Sequence, residues 1–230
     1  MNTFKCICLL ISLLLFAPIQ AQEKKQNPET ETEKKPFFQG VGIAVDLGGI
    51  GNKLFGGTYM SSEVAAEVNL LNRYMPVVEI GYGVSDMTDE DKNISYKASA
   101  PYFRVGMNYN FMHNKDTYSI IYGGLRYGFS SFSFDISAPD LQDPVWGGST
   151  PFHYEGLSCT AQWVEIVAGI RAQIWKNLHM GWAVRYKRLL SYTEHPNADP
   201  HYIPGYGVYD NVKFGFTYNI IYYLPLSKKK

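Results

Sequence analysis

Five carboxylates, Asp46, Glu63, Glu67, Glu79 and Glu165, and six bases, Arg104, Arg126, Arg171, Arg185, Lys187 and Lys213, fall among small residues in stretches that alternate in polarity. Carboxylates facing guanidiniums in a confined space can carry acid–base catalysis or select ions. The same set can also fill a core by mutual pairing. Filling is the expected role here, because the charges are spread over most of the segments. An unpaired charge in a narrow, poorly hydrated interior is costly, whereas a paired and hydrogen-bonded one is tolerated.

Other chemistry is sparse. His113, His153, His179, His195 and His201 stand beside no nucleophile motif. Ser158 and Ser191, near segment ends, would need a loop histidine to make a Ser–His site, and spacing alone does not build one. His195, Asp199 and His201 are of the types that ligate zinc, but no fourth ligand or standard spacing accompanies them. Cys159 has no neighbour that would hold a thiolate, and Gly147–Gly148 lacks the strand-to-helix setting of a phosphate loop. No cofactor or metal is implied.

The elements that position these residues read as strands. From Phe37 onward, large apolar residues alternate with small or polar ones at period two, in eight segments. Val41, Ile43 and Val45 oppose Gly40, Gly42 and Asp46; Val64 and Val68 oppose Glu63 and Glu67; Val78, Ile80 and Tyr82 oppose Glu79, Gly81 and Gly83. Phe103, Val105 and Met107 oppose Arg104 and Gly106; Ile121, Leu125, Tyr127 and Phe129 oppose Gly124, Arg126 and Gly128. Ile166, Ile170 and Ile174 oppose Glu165, Gly169 and Arg171; Trp182, Val184 and Tyr186 oppose Gly181, Arg185 and Lys187; Phe214, Phe216 and Tyr222 oppose Lys213 and Gly215. The parity slips at Ser130–Ser131, which suggests a bulge or the start of a loop. Turns near Leu71–Tyr74, His113–Asp116 and Lys176–Asn177 are short. Gly48–Thr58, Ser85–Asn93, Asp135–Ser158 and Ser191–Tyr209 are long.

Short turns at one end, long loops at the other and an even strand count describe an all-β, eight-stranded antiparallel up-and-down transmembrane β-barrel. The apolar face must point outward. It carries too many large side chains for an eight-stranded interior, which is just wide enough to be filled, while glycine suits a crowded lumen and would only weaken a solvated surface. The aromatic loops, such as Asp143–Gly156 and Tyr202–Gly207, either bind something or fold back over the mouth.

The 230 residues carry 21 Lys+Arg against 21 Asp+Glu, a balance that lacks the basic footprint of a nucleic-acid partner. Residues 1–21 have the basic start, apolar run and small-residue end of a cleaved signal; 22–36 read as a flexible polar leader, 37–226 as the barrel and 227–230 as a basic tail. Cleavage leaves Cys159 alone, so no internal disulfide is expected.

Ser99–Asn110, Gly123–Asp135, Asp143–Gly148, Trp163–Arg171, Met180–Lys187 and Tyr202–Gly207 resemble an uncharacterised family, a domain of unknown function, of Bacteroidota outer-membrane proteins. The architecture is similar to that of small OmpA- and OmpX-type barrels. The resemblance spans about Phe37 to Leu226. It implies an outer-membrane location in a Gram-negative cell after export, with outer-membrane lipids and the barrel assembly machinery as partners, and it transfers no site residue. Such barrels usually end on an aromatic residue, whereas here Leu-Pro-Leu-Ser-Lys-Lys-Lys follows Tyr223. The expectation is a monomer with a closed, charge-filled lumen, not an enzyme, acting structurally or by recognising an unknown surface ligand through its long loops. A lipid-modifying hydrolase or acyltransferase and a narrow conductor are the alternatives.

Overall fold

The computed structural model describes residues 36–49, 59–89, 94–115, 119–138, 151–196 and 198–225. The expected signal, almost all of the leader, the basic tail and Asp143–Gly148 lie outside these residues. Seven strands run in chain order: β1 (Phe38–Asp46), β2 (Tyr59–Leu70), β3 (Tyr74–Asp89), β4 (Ile94–Asn110), β5 (Ile120–Ala138), β6 (Phe152–Trp175) and β7 (Leu178–Tyr192). A two-residue hairpin, β8 (Tyr202–Ile203) with β9 (Gly207–Val208), precedes the last barrel strand, β10 (Val212–Pro225).

Each barrel strand pairs antiparallel with the next, and β1 closes on β10 from Gly40↔Pro225 to Asp46↔Asn219. The fold is therefore a closed eight-stranded antiparallel up-and-down barrel, in which the ring of strands removes every long edge. The β2–β3 turn is tight: the Arg73 amide donates to the Leu70 carbonyl at 2.9 Å, with Leu71 and Asn72 both at φ 56°, the sense that matches strand twist.

Alternation sets the faces. Ile43, Val64, Ile80, Val105, Leu125, Ile166, Trp182 and Phe216, one from each barrel strand, point outward and are exposed, Phe216 to 79%. On β3 the outward apolar residues run from Tyr74 to Val84, close to the roughly 9–11 residues with which a tilted strand crosses a bilayer. The inward face holds the carboxylates, guanidiniums and glycines.

Two expectations need correction. Ser130–Ser131 is neither a bulge nor a loop: β5 runs on in register, Ser130 opposite Ala161 and Ser131 opposite Thr160. What changes there is the chemistry of the faces. Beyond Phe129 the outward residues become Ser131, Ser133 and Asp135, while Phe132 and Phe134 turn inward and are buried. The apolar–polar assignment inverts where the strand passes the end of the apolar belt. For the same reason the connections read as 85–93 and 135–158 are shorter than expected, with β3 continuing to Asp89, β4 starting at Ile94, β5 ending at Ala138 and β6 starting at Phe152. Ser158 and Cys159 consequently sit inside β6, and Cys159 is buried in the core.

Candidate functional site

The lumen is packed in three layers. In the middle layer, Arg185 of β7 reaches strands on the opposite side of the ring. Its Nη1 lies 2.8 Å from Glu79 Oε2 and 3.1 Å from Glu165 Oε2, and its Nη2 lies 3.1 Å from Glu63 Oε1. β7 and β3 are diametrically opposed in the ring order, so this one guanidinium spans the barrel. Arg104 closes the same cluster with Glu63 at 2.7 Å, Glu79 at 3.0 Å and Glu165 at 3.3 Å. Arg126 adds Glu79 at 2.9 Å and donates to Asn108 at 2.7 Å. The carboxylates take further donors: the Trp163 indole N–H on Glu165 at 2.7 Å and the Tyr102 hydroxyl on Glu63 at 3.1 Å. Each carboxylate of this cluster thus meets two or more guanidiniums, the condition under which buried charge is tolerated.

Towards the short-turn end, Arg171 of β6 forms a forked pair with Glu67 of β2, again across the ring; Nη1 bonds Oε1 and Nη2 donates to Oε2 at 2.8 Å. Met75, Ile120, Tyr122, Val167 and Ala183 pack the space around it.

Three residues expected in the charge set behave differently. Asp46 accepts the backbone N–H groups of Gly48 and Tyr218, each at 3.0 Å, and so fastens the end of β1. Lys187 donates to the carbonyls of Gly205 and Tyr206 at 2.7 and 3.1 Å. Lys213 sits at the rim, 3.4 Å from Asp210. The direct ion pairs of the interior therefore join Glu63, Glu67, Glu79 and Glu165 to Arg104, Arg126, Arg171 and Arg185.

The carbonyls that take Lys187 belong to the third layer, where the aromatic loop folds back over the mouth. The β7–β10 connection folds back into the barrel mouth, so that Tyr202, Ile203, Pro204 and Tyr206 are fully buried. Their neighbours are the inward aromatics of the long strands. Tyr96 donates to the Tyr202 carbonyl at 2.8 Å, Tyr59 lies 5.2 Å from the Tyr202 ring and Trp163 lies 5.9 Å from the Tyr206 ring. Gly205 stands at φ 82°, and a Cβ there would overlap the Tyr102 ring. Gly128 likewise leaves its side-chain space to the Trp163 indole. These glycines are the hollows into which aromatic rings fit. Burial pushes the Tyr206 phenol up to about 12, so it stays neutral and donates to the Asp210 carbonyl at 2.6 Å. The signal for this plug was present in Tyr-Ile-Pro-Gly-Tyr-Gly at 202–207 and in the inverted alternation of β5, but neither says alone that the two meet.

The histidines do not converge. His153 pairs with Glu155 at 2.7 Å; His195 Nε2 lies 2.9 Å from the Ser158 backbone carbonyl, not its hydroxyl; His201 packs edge-on against Tyr96. Asp199 accepts from Tyr192 at 3.2 Å. Among the described residues no group of three His, Cys, Asp or Glu side chains could hold a metal ion.

A family model described as "Domain of unknown function (DUF6048)" matches residues 1–229. The comparison with curated proteins finds no match. Similar solved structures include a major outer membrane protein from Thermus thermophilus, at 11% identity, covering 81% of this chain and 99% of that one with a TM-score of 0.47. Neisserial surface protein A aligns at 13% identity over 81% and 96%, TM-score 0.41. Ail, the attachment invasion locus protein of Yersinia pestis, crystallised with the heparin analogue sucrose octasulfate, aligns at 12% identity over 80% and 98%, TM-score 0.41.

Proposed function

The chain belongs to this family, and from that premise we propose that it is an outer-membrane barrel, exported behind a cleaved signal, whose lumen is sealed and whose work is done by the surface at its long-loop end. One observation carries the reading: a closed ring is apolar on the outside and solid across its diameter on the inside. Water would leave the outward Ile, Phe and Trp side chains in one continuous apolar band, far larger than soluble monomers expose. Hydrocarbon removes that cost, and the closed hydrogen-bond ring meets the membrane's demand that every backbone group be satisfied. Among the described residues the eight-stranded interior is spent on charge pairs and the inserted loop, which supports a lumen closed to conduction. The protein therefore acts as a rigid frame, and the long strands β3–β6, which run past the belt, hold out a polar surface for non-covalent recognition or envelope support. The separate engagements of His153, His195 and His201 support this reading over a hydrolytic one. The Bacteroidota outer membrane implied by the sequence resemblance is the setting we propose.

Topology is directly testable, because Cys159 is the only other cysteine left after signal removal and it is buried. In whole cells an impermeant maleimide should label Glu155→Cys, on the exposed upper part of β6, and should fail to label Lys115→Cys in the β4–β5 turn until the envelope is broken. Labelling in the opposite order would reverse the orientation, and recovery of the protein in the soluble periplasmic fraction would end the membrane reading.

A further inference from the structure

The apolar belt has a hollow near its short-turn end. Met112, Ile121, Ala172, Met180 and Trp182 line a groove of about 250 Å³ across the outer wall of β5, β6 and β7. It exists because Ala172 is small where the next outward residues along β6, Ile170 and Ile174, are large, and because Met112 of the β4–β5 turn stands over one end. We propose that this groove seats one acyl chain of a phospholipid from the leaflet at the short-turn end. The inference rests on the membrane reading above and names the partner at this part of the wall.

The argument for a lipid chain is continuity and packing. The groove is a concave part of a surface whose surroundings are already apolar and outward. An empty hollow inside hydrocarbon deprives its lining atoms of contacts on one side, and a flexible methylene chain is the shape that fills it. A chain held on several sides exchanges more slowly than one lying on a smooth wall. Lys115 and Lys176, exposed on the two turns nearest the groove, supply cations where the phosphate of a seated lipid would lie.

The test is native mass spectrometry of the barrel purified in mild detergent, comparing wild type with Ala172→Phe, which fills the groove, and Ala168→Phe, which adds the same ring to the belt two outward positions further along β6. Heat-dependent gel mobility confirms that each variant is folded, and Ala172→Leu serves as a gentler filling if Phe disturbs the barrel. Wild type and Ala168→Phe should retain one phospholipid per chain, and filling Ala172 should lower that occupancy at least tenfold. No retained lipid on folded wild type, equal retention when the groove is filled, or a second copy of the chain in place of lipid would each overturn the proposal. A protein that stays dispersed without detergent would instead remove the membrane reading on which it rests.

Discussion

Replacing Arg185 with Met is expected to cost about 3–5 kcal/mol of barrel stability, read as a lowered denaturant midpoint for unfolding from detergent or lipid. The reason is the imbalance it leaves. Arg185 serves Glu63, Glu79 and Glu165 together at 2.8–3.1 Å, so its loss strands negative charge in the middle of the lumen, with Arg104, Arg126 and Lys187 unable to move without abandoning partners of their own. Methionine keeps most of the volume, so a cavity does not explain the loss. Arg185→Lys should recover little, because an ammonium cannot fork between two carboxylates as a guanidinium does. A cost below about 1 kcal/mol would mean that water reaches the cluster and that the interior is not sealed.

The neighbouring pair supplies the comparison. Arg171 and Glu67 bond chiefly to each other, so Arg171→Met alone should be costly, while Arg171→Met with Glu67→Leu should return most of the stability, since an apolar pair of similar volume replaces an ion pair at little net cost. No single second substitution can rescue Arg185→Met in that way, because three carboxylates depend on the lost group. The contrast separates a network from a couple.

Alternation such as that of Val78, Ile80 and Tyr82 against Glu79, Gly81 and Gly83 was enough to find the eight barrel strands, though not the far ends of β3–β6 or the β8–β9 hairpin, because a side-chain period of two is fixed by backbone geometry. The outward direction followed from volume. Charge pairing was not legible: that Arg185 meets Glu79 depends on which strands stand opposite after closure, and ring order is a property of the whole chain. The upper half departs from the alternation for a physical reason. Period two labels a face only while its environment is constant, and at Ser131 the outside changes from apolar to polar while the inside receives a loop. Phe132 and Phe134 then mark a core on the face that held Arg126 and Gly128 lower down.

That inserted loop gives the second large effect. Gly205→Val should expel the tip of the β7–β10 connection from the mouth. Position 205 lies at φ 82° and its Cβ would collide with the Tyr102 ring, whereas a β-branched residue in the left-handed region is already strained by about 1–2 kcal/mol or more. The loop lacks long strand pairing to hold it otherwise, because β8 and β9 pair at two positions only. Expulsion should turn a protease-resistant Tyr202–Tyr206 segment into one cut rapidly by added chymotrypsin, with the barrel strands still intact on the gel. It should not create a pore. Beneath the loop, Arg185 and Arg104 bridge Glu63, Glu79 and Glu165 across the ring directly, and the plug touches this layer through Lys187 and Arg104 on the Gly205 carbonyl, Lys187 on the Tyr206 carbonyl and the Trp163–Tyr206 ring contact. Planar bilayers should therefore record no unitary conductance from wild type and none from Gly205→Val. Conductance that appears only in the variant would identify the loop as the sole seal and assign the charge layer to a hydrated passage, which is the opposite of the role its direct carboxylate–guanidinium contacts support.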